Sequence, residues 1–129
     1  MQQVHDTISI DPLKKAFSKL KQFSDNLNTE QEKAGAIQAF EYSFELSWKT
    51  MKRFLHARGS DANSPREVFR LAALEGFIKD PELWFDFLVK RNMTVHTYHE
   101  AESERVVAIL PSFVQEVHLL ITVLERLCD

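Results

Sequence analysis

Residues 30–58 read EQEKAGAIQAFEYSFELSWKTMKRFLHAR, and the predicted fold is built around this segment. Apolar side chains recur in it every three or four residues, which is the spacing of one face of an α-helix. The stripe consists of Ala34, Ile37, Phe40, Phe44, Trp48, Met51 and Leu55. Gly59 follows as a residue suited to the left-handed position after a helix end. The pattern therefore predicts one long amphipathic helix over residues 30–58, closed by Gly59.

Three further apolar side chains of this helix lie off the main stripe: Tyr42, Leu46 and Phe54. A helix that is apolar on more than one side contacts more than one neighbour. We therefore expect Tyr42, Leu46 and Phe54 to face a partner subunit.

Helix start signals recur on both sides of the long helix. Asp11-Pro12 predicts an N-cap followed by proline in the first turn, and Asp80-Pro81 repeats that signal. Ser64-Pro65-Arg66-Glu67 has the spacing of a capping box. A last helix is predicted from near Glu100 to Leu127, and Pro111 must kink or restart it because its ring excludes a mid-helix hydrogen bond.

Length and composition favour an all-α domain. The chain has 129 residues, of which 44% are hydrophobic and only 3 are Gly and 4 are Pro. So few turn-forming residues leave little room for the many turns of an all-β fold. The sequence predicts a single domain over residues 1–129, built as an antiparallel up-and-down bundle of about five helices with short connections.

Net charge, cysteine content and the length of apolar runs indicate which ligands and which cell compartment fit this sequence. The net charge is −3, which excludes a strongly basic protein that coats nucleic acid, so any such contact must be made by a local basic cluster. The single cysteine, Cys128, cannot form a disulfide within the chain, which favours a reducing compartment. No uncharged apolar run approaches membrane-spanning length, and no signal peptide opens the chain. We expect a cytoplasmic protein with no membrane contact.

The segment Arg91–Tyr98, RNMTVHTY, concentrates chemically useful side chains at the end of an apolar run. Arg91 can hold a phosphate with its planar donor fork, and His96 can move protons near neutral pH. Tyr98 offers a hydroxyl that can bind or be modified. On an unbroken helix His96 would point away from Arg91. Either the helix loosens over residues 94–97, or Arg91 of one subunit meets His96 of another.

The same residues also fit plainer interpretations. Arg91 could pair with Glu100 or Glu102 at a helix end, while His96 stays on the surface and Tyr98 packs. A metal could bind the pair His96 and His99, but this pair has no clear third ligand, so no metal site is predicted.

A second basic group, Lys49, Lys52, Arg53 and His56, lies on the long helix. It is either a solvated helix face or a local guide for an RNA backbone.

Five blocks of the sequence together resemble one known family. They are Phe40–Lys49, Ser64–Arg70, Leu83-Trp84, Arg91–Tyr98 and Leu110–Phe113, in the same order as in that family. The family is the nucleotidyltransferase substrate-binding proteins of the HEPT superfamily. The resemblance extends over nearly the whole chain.

The resemblance implies a helical bundle that forms a homodimer and works with a minimal nucleotidyltransferase in a toxin–antitoxin pair. It implies a metal-independent ribonuclease without a cofactor, in which Arg91 and His96 are catalytic and Asn92 supports them. RNA would be the substrate. The partner would silence the enzyme by transferring AMP to Tyr98, two residues after His96.

Two other functions remain open at this point. In one, the chain is a non-catalytic subunit that presents substrate to a nucleotidyltransferase, and Arg91 and His96 bind a phosphate without cutting a bond. In the other, it is a structural helical dimer whose motif is only an ion-paired helix end.

Overall fold

A computed structural model describes residues 8–96 and 100–128, without the side chain of His96. In these ranges there are six α-helices and no strands, so the predicted all-α bundle is confirmed. The helices are α1 (Asp11–Ser24), α2 (Glu30–Ala57), α3 (Pro65–Leu74), α4 (Pro81–Met93), α5 (Glu100–Ala108) and α6 (Leu110–Cys128), with a 3-10 turn at Thr94–His96. About five helices were predicted and six are present in these ranges, because the predicted break near Pro111 divides the last helix into α5 and α6, with a bend of 40° between them.

Helix α2 is the centre of the bundle. It packs against α1, α3, α4 and α5. It also meets α6, because the ring of Phe40 packs edge-on against the ring of Phe113 with 4.8 Å between centroids. The longest helix is therefore the scaffold on which the others are arranged.

An aromatic cluster around Trp84 joins α4 to its neighbours. The Trp84 ring lies 5.2 Å from Phe87 and 5.4 Å from Phe69 of α3, measured between centroids. Phe87 in turn packs edge-on against Phe113 of α6 at 5.1 Å. All four side chains are fully buried. Edge-to-face ring pairs of this kind add roughly 0.5–1.5 kcal/mol each beyond their area burial. The cluster fixes α4, whose C-terminal end carries Arg91.

Tyr42, Leu46 and Phe54 were expected to face a partner subunit, and this prediction is wrong for Phe54. Its side chain has no exposed surface and packs against Phe77. Leu46 is partly buried and packs against the core. Both results follow from the central place of α2, which needs apolar residues on several sides. Tyr42 remains 61% exposed, so its contact with a partner subunit stays a prediction.

All three predicted helices begin within one residue of the predicted position, and two of the three predicted N-caps are present. Ser64 Oγ accepts a hydrogen bond from the Glu67 amide at 3.2 Å, and Asp80 Oδ1 accepts one from the Glu82 amide at 2.9 Å. The reciprocal half of the predicted capping box is wrong, because the Glu67 carboxylate accepts from the Asn63 amide instead.

Asp11 is not the N-cap of α1. Ile10 occupies that position and makes no side-chain cap, while Asp11 is the first helical residue and its amide donates to Ser9 Oγ. Gly59 ends α2 as predicted, with φ of +86° in the left-handed region that favours glycine.

A complete capping box, which the sequence analysis did not predict, opens α2. Thr29 Oγ1 accepts from the Glu32 amide at 3.0 Å, and Glu32 Oε1 accepts from the Thr29 amide at 2.9 Å. The two side chains satisfy two amides that the first turn leaves without partners.

In the described ranges, no single helix combines the length and the apolar character needed to cross a membrane. Helices α5 and α6 meet that requirement only when taken together as a bent pair.

The capping box gives a stability prediction. Thr29→Ala removes the hydroxyl acceptor and should lower the free energy of unfolding by about 1 kcal/mol. Thr29→Ser keeps the acceptor and is the matched control, with a urea midpoint close to that of the wild type. Equal midpoints for the alanine and serine variants would show that this cap does not stabilise α2.

Candidate functional site

The backbone changes at the start of the motif. Helix α4 ends at Met93, and Thr94–His96 form the 3-10 turn that follows. Both the amide and the hydroxyl of Thr94 donate to the Arg91 carbonyl, the hydroxyl at 2.6 Å. An amide bond to the third preceding residue is the 3-10 pattern. The predicted loosening of the helix is therefore confirmed over Thr94–His96.

Arg91 is a residue of α4, and its side chain reaches Glu45 of α2. Its Nε is 3.3 Å from Oε1 of Glu45, which is an ion-pair distance. This N–H is nevertheless not aligned for a hydrogen bond and is buried without an acceptor in the part of the chain that the structure describes. The side chain is 30% exposed, so other atoms of Arg91 reach the surface. The alternative pairing of Arg91 with Glu100 or Glu102 is wrong.

Glu45 is shared between two cations. Its other oxygen, Oε2, lies 3.6 Å from Nζ of Lys49 one turn along α2. Partly exposed ion pairs typically contribute only about 0–1 kcal/mol. A phosphate that accepts two parallel hydrogen bonds from Arg91 can therefore displace this single misaligned contact.

The second half of the motif is only partly described. His96 is the last residue of the 3-10 turn, but its side chain and residues 97–99, with Tyr98, lie outside the described residues. The metal-site alternative, which would use His99, also falls there. Asn92 is exposed, and no hydrogen bond joins its side chain to the described residues. The roles of Arg91, Asn92, His96 and Tyr98 thus stay predictions.

An acidic hollow lies beside the motif, between the N-terminal half of α2 and α5. Glu30, Glu41, Glu100 and Glu104 line it together with Lys33. Lys33 Nζ contacts Glu104 Oε1 at 3.1 Å, and this hydrogen bond, with the charges of the surrounding glutamates, raises the pKa of Lys33. The carboxylates outnumber the lysine, so the lining of the hollow is net negative and disfavours an anionic ligand.

Glu45 was not singled out by the sequence analysis. Its spacing to Lys49 is a recognisable helical ion pair, but the contact with Arg91 joins two helices far apart in the sequence. Nothing in a single sequence indicates which acid of α2 meets the end of α4.

Comparison with known proteins gives consistent results. The family described as nucleotidyltransferase substrate binding protein like matches residues 8–126. A Haemophilus influenzae protein described as a probable ribonuclease HepT is 37% identical over 98 residues, which cover 72% of this chain and 67% of that protein.

Two solved structures share the fold. A crystal structure from Thermus thermophilus has a TM-score of 0.82 and 31% identity, covering 87% of this chain and 98% of that one. A Haemophilus influenzae structure, described as revealing the fold of a substrate binding domain of a nucleotidyltransferase, has a TM-score of 0.79 and 32% identity. It covers 94% of this chain and 100% of the other.

The family match spans almost all of the chain, and the similar structures have the same helical fold over most of their length. The chain belongs to the nucleotidyltransferase substrate binding protein like family.

Proposed function

We propose that this chain is a HEPT-type toxin, a metal-independent ribonuclease that uses Arg91 and His96. A partner minimal nucleotidyltransferase silences it by transferring AMP to Tyr98. The observation that carries the proposal is the position of Arg91, which lies at the end of α4 with a partly exposed side chain. Within the described residues its one ion pair is the poorly aligned contact with Glu45. The Haemophilus relative described as a probable ribonuclease HepT supports the same activity.

The proposed reaction uses chemistry available to the two side chains. His96 takes the proton of a ribose 2′-hydroxyl, or gives a proton to the departing 5′-oxygen. The 2′-oxygen forms a bond to phosphorus as the bond from phosphorus to the 5′-oxygen breaks. Arg91 binds the phosphate and stabilises the charge that grows on its oxygens. The exchangeable contact with Glu45 holds the guanidinium near this position before RNA arrives.

The proposed regulation acts on the same motif. In the transfer, the Tyr98 oxygen bonds to the α-phosphorus of ATP and pyrophosphate leaves. The attached AMP brings negative charge and bulk next to Arg91 and His96. It would repel an RNA phosphate and compete for the Arg91 guanidinium.

A non-catalytic subunit is the second candidate function. The family description and the name given to the Haemophilus structure both refer to substrate binding, and they favour this alternative. Arg91 and His96 would then hold a phosphate for a separate nucleotidyltransferase. Under either function we propose a cytoplasmic homodimer, with the exposed Tyr42 as a candidate contact between subunits.

RNA decay tests the proposed function. We expect purified wild-type protein to degrade RNA in EDTA, and His96→Ala to reduce the rate by at least about a hundredfold, the lower range for losing a general acid or base. His118→Ala removes an exposed histidine of α6 and should keep the wild-type rate. Equal decay by the wild type and His96→Ala would overturn the catalytic role. No decay by a wild-type protein that carries no AMP would favour the binding subunit.

The modification gives a second test, since the chain has only two tyrosines. With the partner nucleotidyltransferase and ATP, the wild type and Tyr42→Phe should each gain the mass of AMP, whereas Tyr98→Phe should not. Intact-mass spectrometry measures this, and the modified wild type should lose ribonuclease activity. A Tyr98→Phe protein that gains AMP would place the modification elsewhere.

A further inference from the structure

A groove lies on the C-terminal half of α2. This half of the helix contributes no residue to the acidic hollow. The groove encloses about 700 Å³ and is bounded by α2, the following loop and the chain before α1. Its apolar lining comes from Ile8, Trp48, Ala57 and Ala62. The site is large enough for a nucleotide base, and Trp48 provides an aromatic ring beside it.

The charged lining of the groove is predominantly basic. Lys49, Lys52, Arg53 and His56 all border it, on a chain whose net charge is −3. His56 Nδ1 lies 2.8 Å from Oδ1 of Asp61, the one acid that lines the groove within the described residues. Lys52 and Arg53 are exposed and pair with no carboxylate in residues 8–96 or 100–128. Two cations are therefore available for an anionic ligand.

The groove is linked to Arg91 through the Glu45 carboxylate. Lys49, which lines the groove, shares the Glu45 carboxylate with Arg91. Glu45, Lys49, Lys52 and His56 follow one another at helical spacing on one face of α2. The rise from Glu45 to His56 is about 16 Å along the helix axis, enough for a few extended nucleotides.

We propose that this groove binds the single-stranded RNA that flanks the phosphate held by Arg91. Lys52 and Arg53 contact backbone phosphates, and a base packs in the apolar part beside Trp48. This inference rests on the proposed function, because it assumes that RNA reaches Arg91. Proteins that bind single-stranded nucleic acids combine a basic groove for the backbone with aromatic side chains on which bases stack. The acidic hollow is lined by the N-terminal half of α2, which leaves the C-terminal half of that helix as the favourable path for RNA.

RNA binding in the uncleaving His96→Ala background tests the groove. We expect Lys52→Ala/Arg53→Ala to weaken binding of a single-stranded RNA oligonucleotide, measured by fluorescence anisotropy. The slope of log K against log salt should become less negative by about 1.4, which corresponds to two lost phosphate contacts on a single strand. Lys15→Ala/Lys19→Ala removes two exposed lysines of α1 and is the matched control for charge. An equal loss in both double variants would overturn the groove as a specific site.

A second arm tests the base contact and the class of ligand. Trp48→Leu should weaken RNA binding by about fivefold or more, the lower range for one base stack, and leave inorganic polyphosphate binding unchanged. Equal losses for both ligands would contradict the stacked base. A poly-glutamate peptide that binds the groove as tightly as RNA would identify a protein-binding surface and overturn the proposal.

The two proposals fail in different ways. If His96→Ala stops RNA decay but the Lys52/Arg53 change leaves binding intact, the ribonuclease stands and the groove does not bind RNA. If RNA binds in the groove but the wild type never cuts it, the groove stands and the catalytic proposal fails.

Discussion

The packing of Trp84 fixes the position of α4 against its neighbours. Its ring contacts Phe69 of α3 and Phe87 of its own helix, and Phe87 continues the contact to Phe113 of α6. Phe113 also meets Phe40 of α2. Because interiors are close-packed, a helix held by such contacts cannot turn without disturbing three neighbours. The direction of α4, and so the place where it ends beside α2, is set by this cluster.

Arg91, near the end of α4, contacts the central helix α2. The two halves of α2 border surfaces of opposite charge. The N-terminal half of α2 joins α5 in the acidic hollow with Glu30 and Glu41. Its C-terminal half carries Lys52 and Arg53 beside the apolar groove. Arg91 meets α2 at Glu45, between these two regions. Although the net charge is −3, the surface charge along α2 changes from acidic to basic. This change can direct an anionic chain to one side of the motif.

Local signals predicted most of the fold. Periodic apolar residues gave α2, and the Ser64 and Asp80 caps gave the starts of α3 and α4, because these features act within one or two turns. The errors at Asp11 and Phe54 have different origins. The error at Asp11 is local, because the helix begins one residue earlier than predicted, with Ile10 at the N-cap and Asp11 already helical. Phe54 is buried because α2 has neighbours on several sides, and tertiary contacts of that kind cannot be inferred from the spacing of one helix.

The site was predictable only in part for the same reason. The sequence indicated Arg91 and the loosening after Met93, since an arginine and β-branched residues at a helix end are local features. The contact between Arg91 and Glu45, and the groove formed where Ile8 and Ala62 approach α2, depend on residues distant in sequence. Both are needed to infer a path for RNA.

Attack by the ribose 2′-oxygen is tested by comparing cleavage of one RNA oligonucleotide with cleavage of the same sequence carrying 2′-O-methyl groups. The reaction uses wild-type protein shown by intact mass to carry no AMP, in EDTA. Attack by the 2′-oxygen predicts that only the unmodified RNA is cut, leaving a cyclic phosphate on the 2′ and 3′ oxygens. Cleavage of both oligonucleotides would contradict the proposed chemistry of His96 and Arg91, and cleavage of neither would contradict the ribonuclease itself.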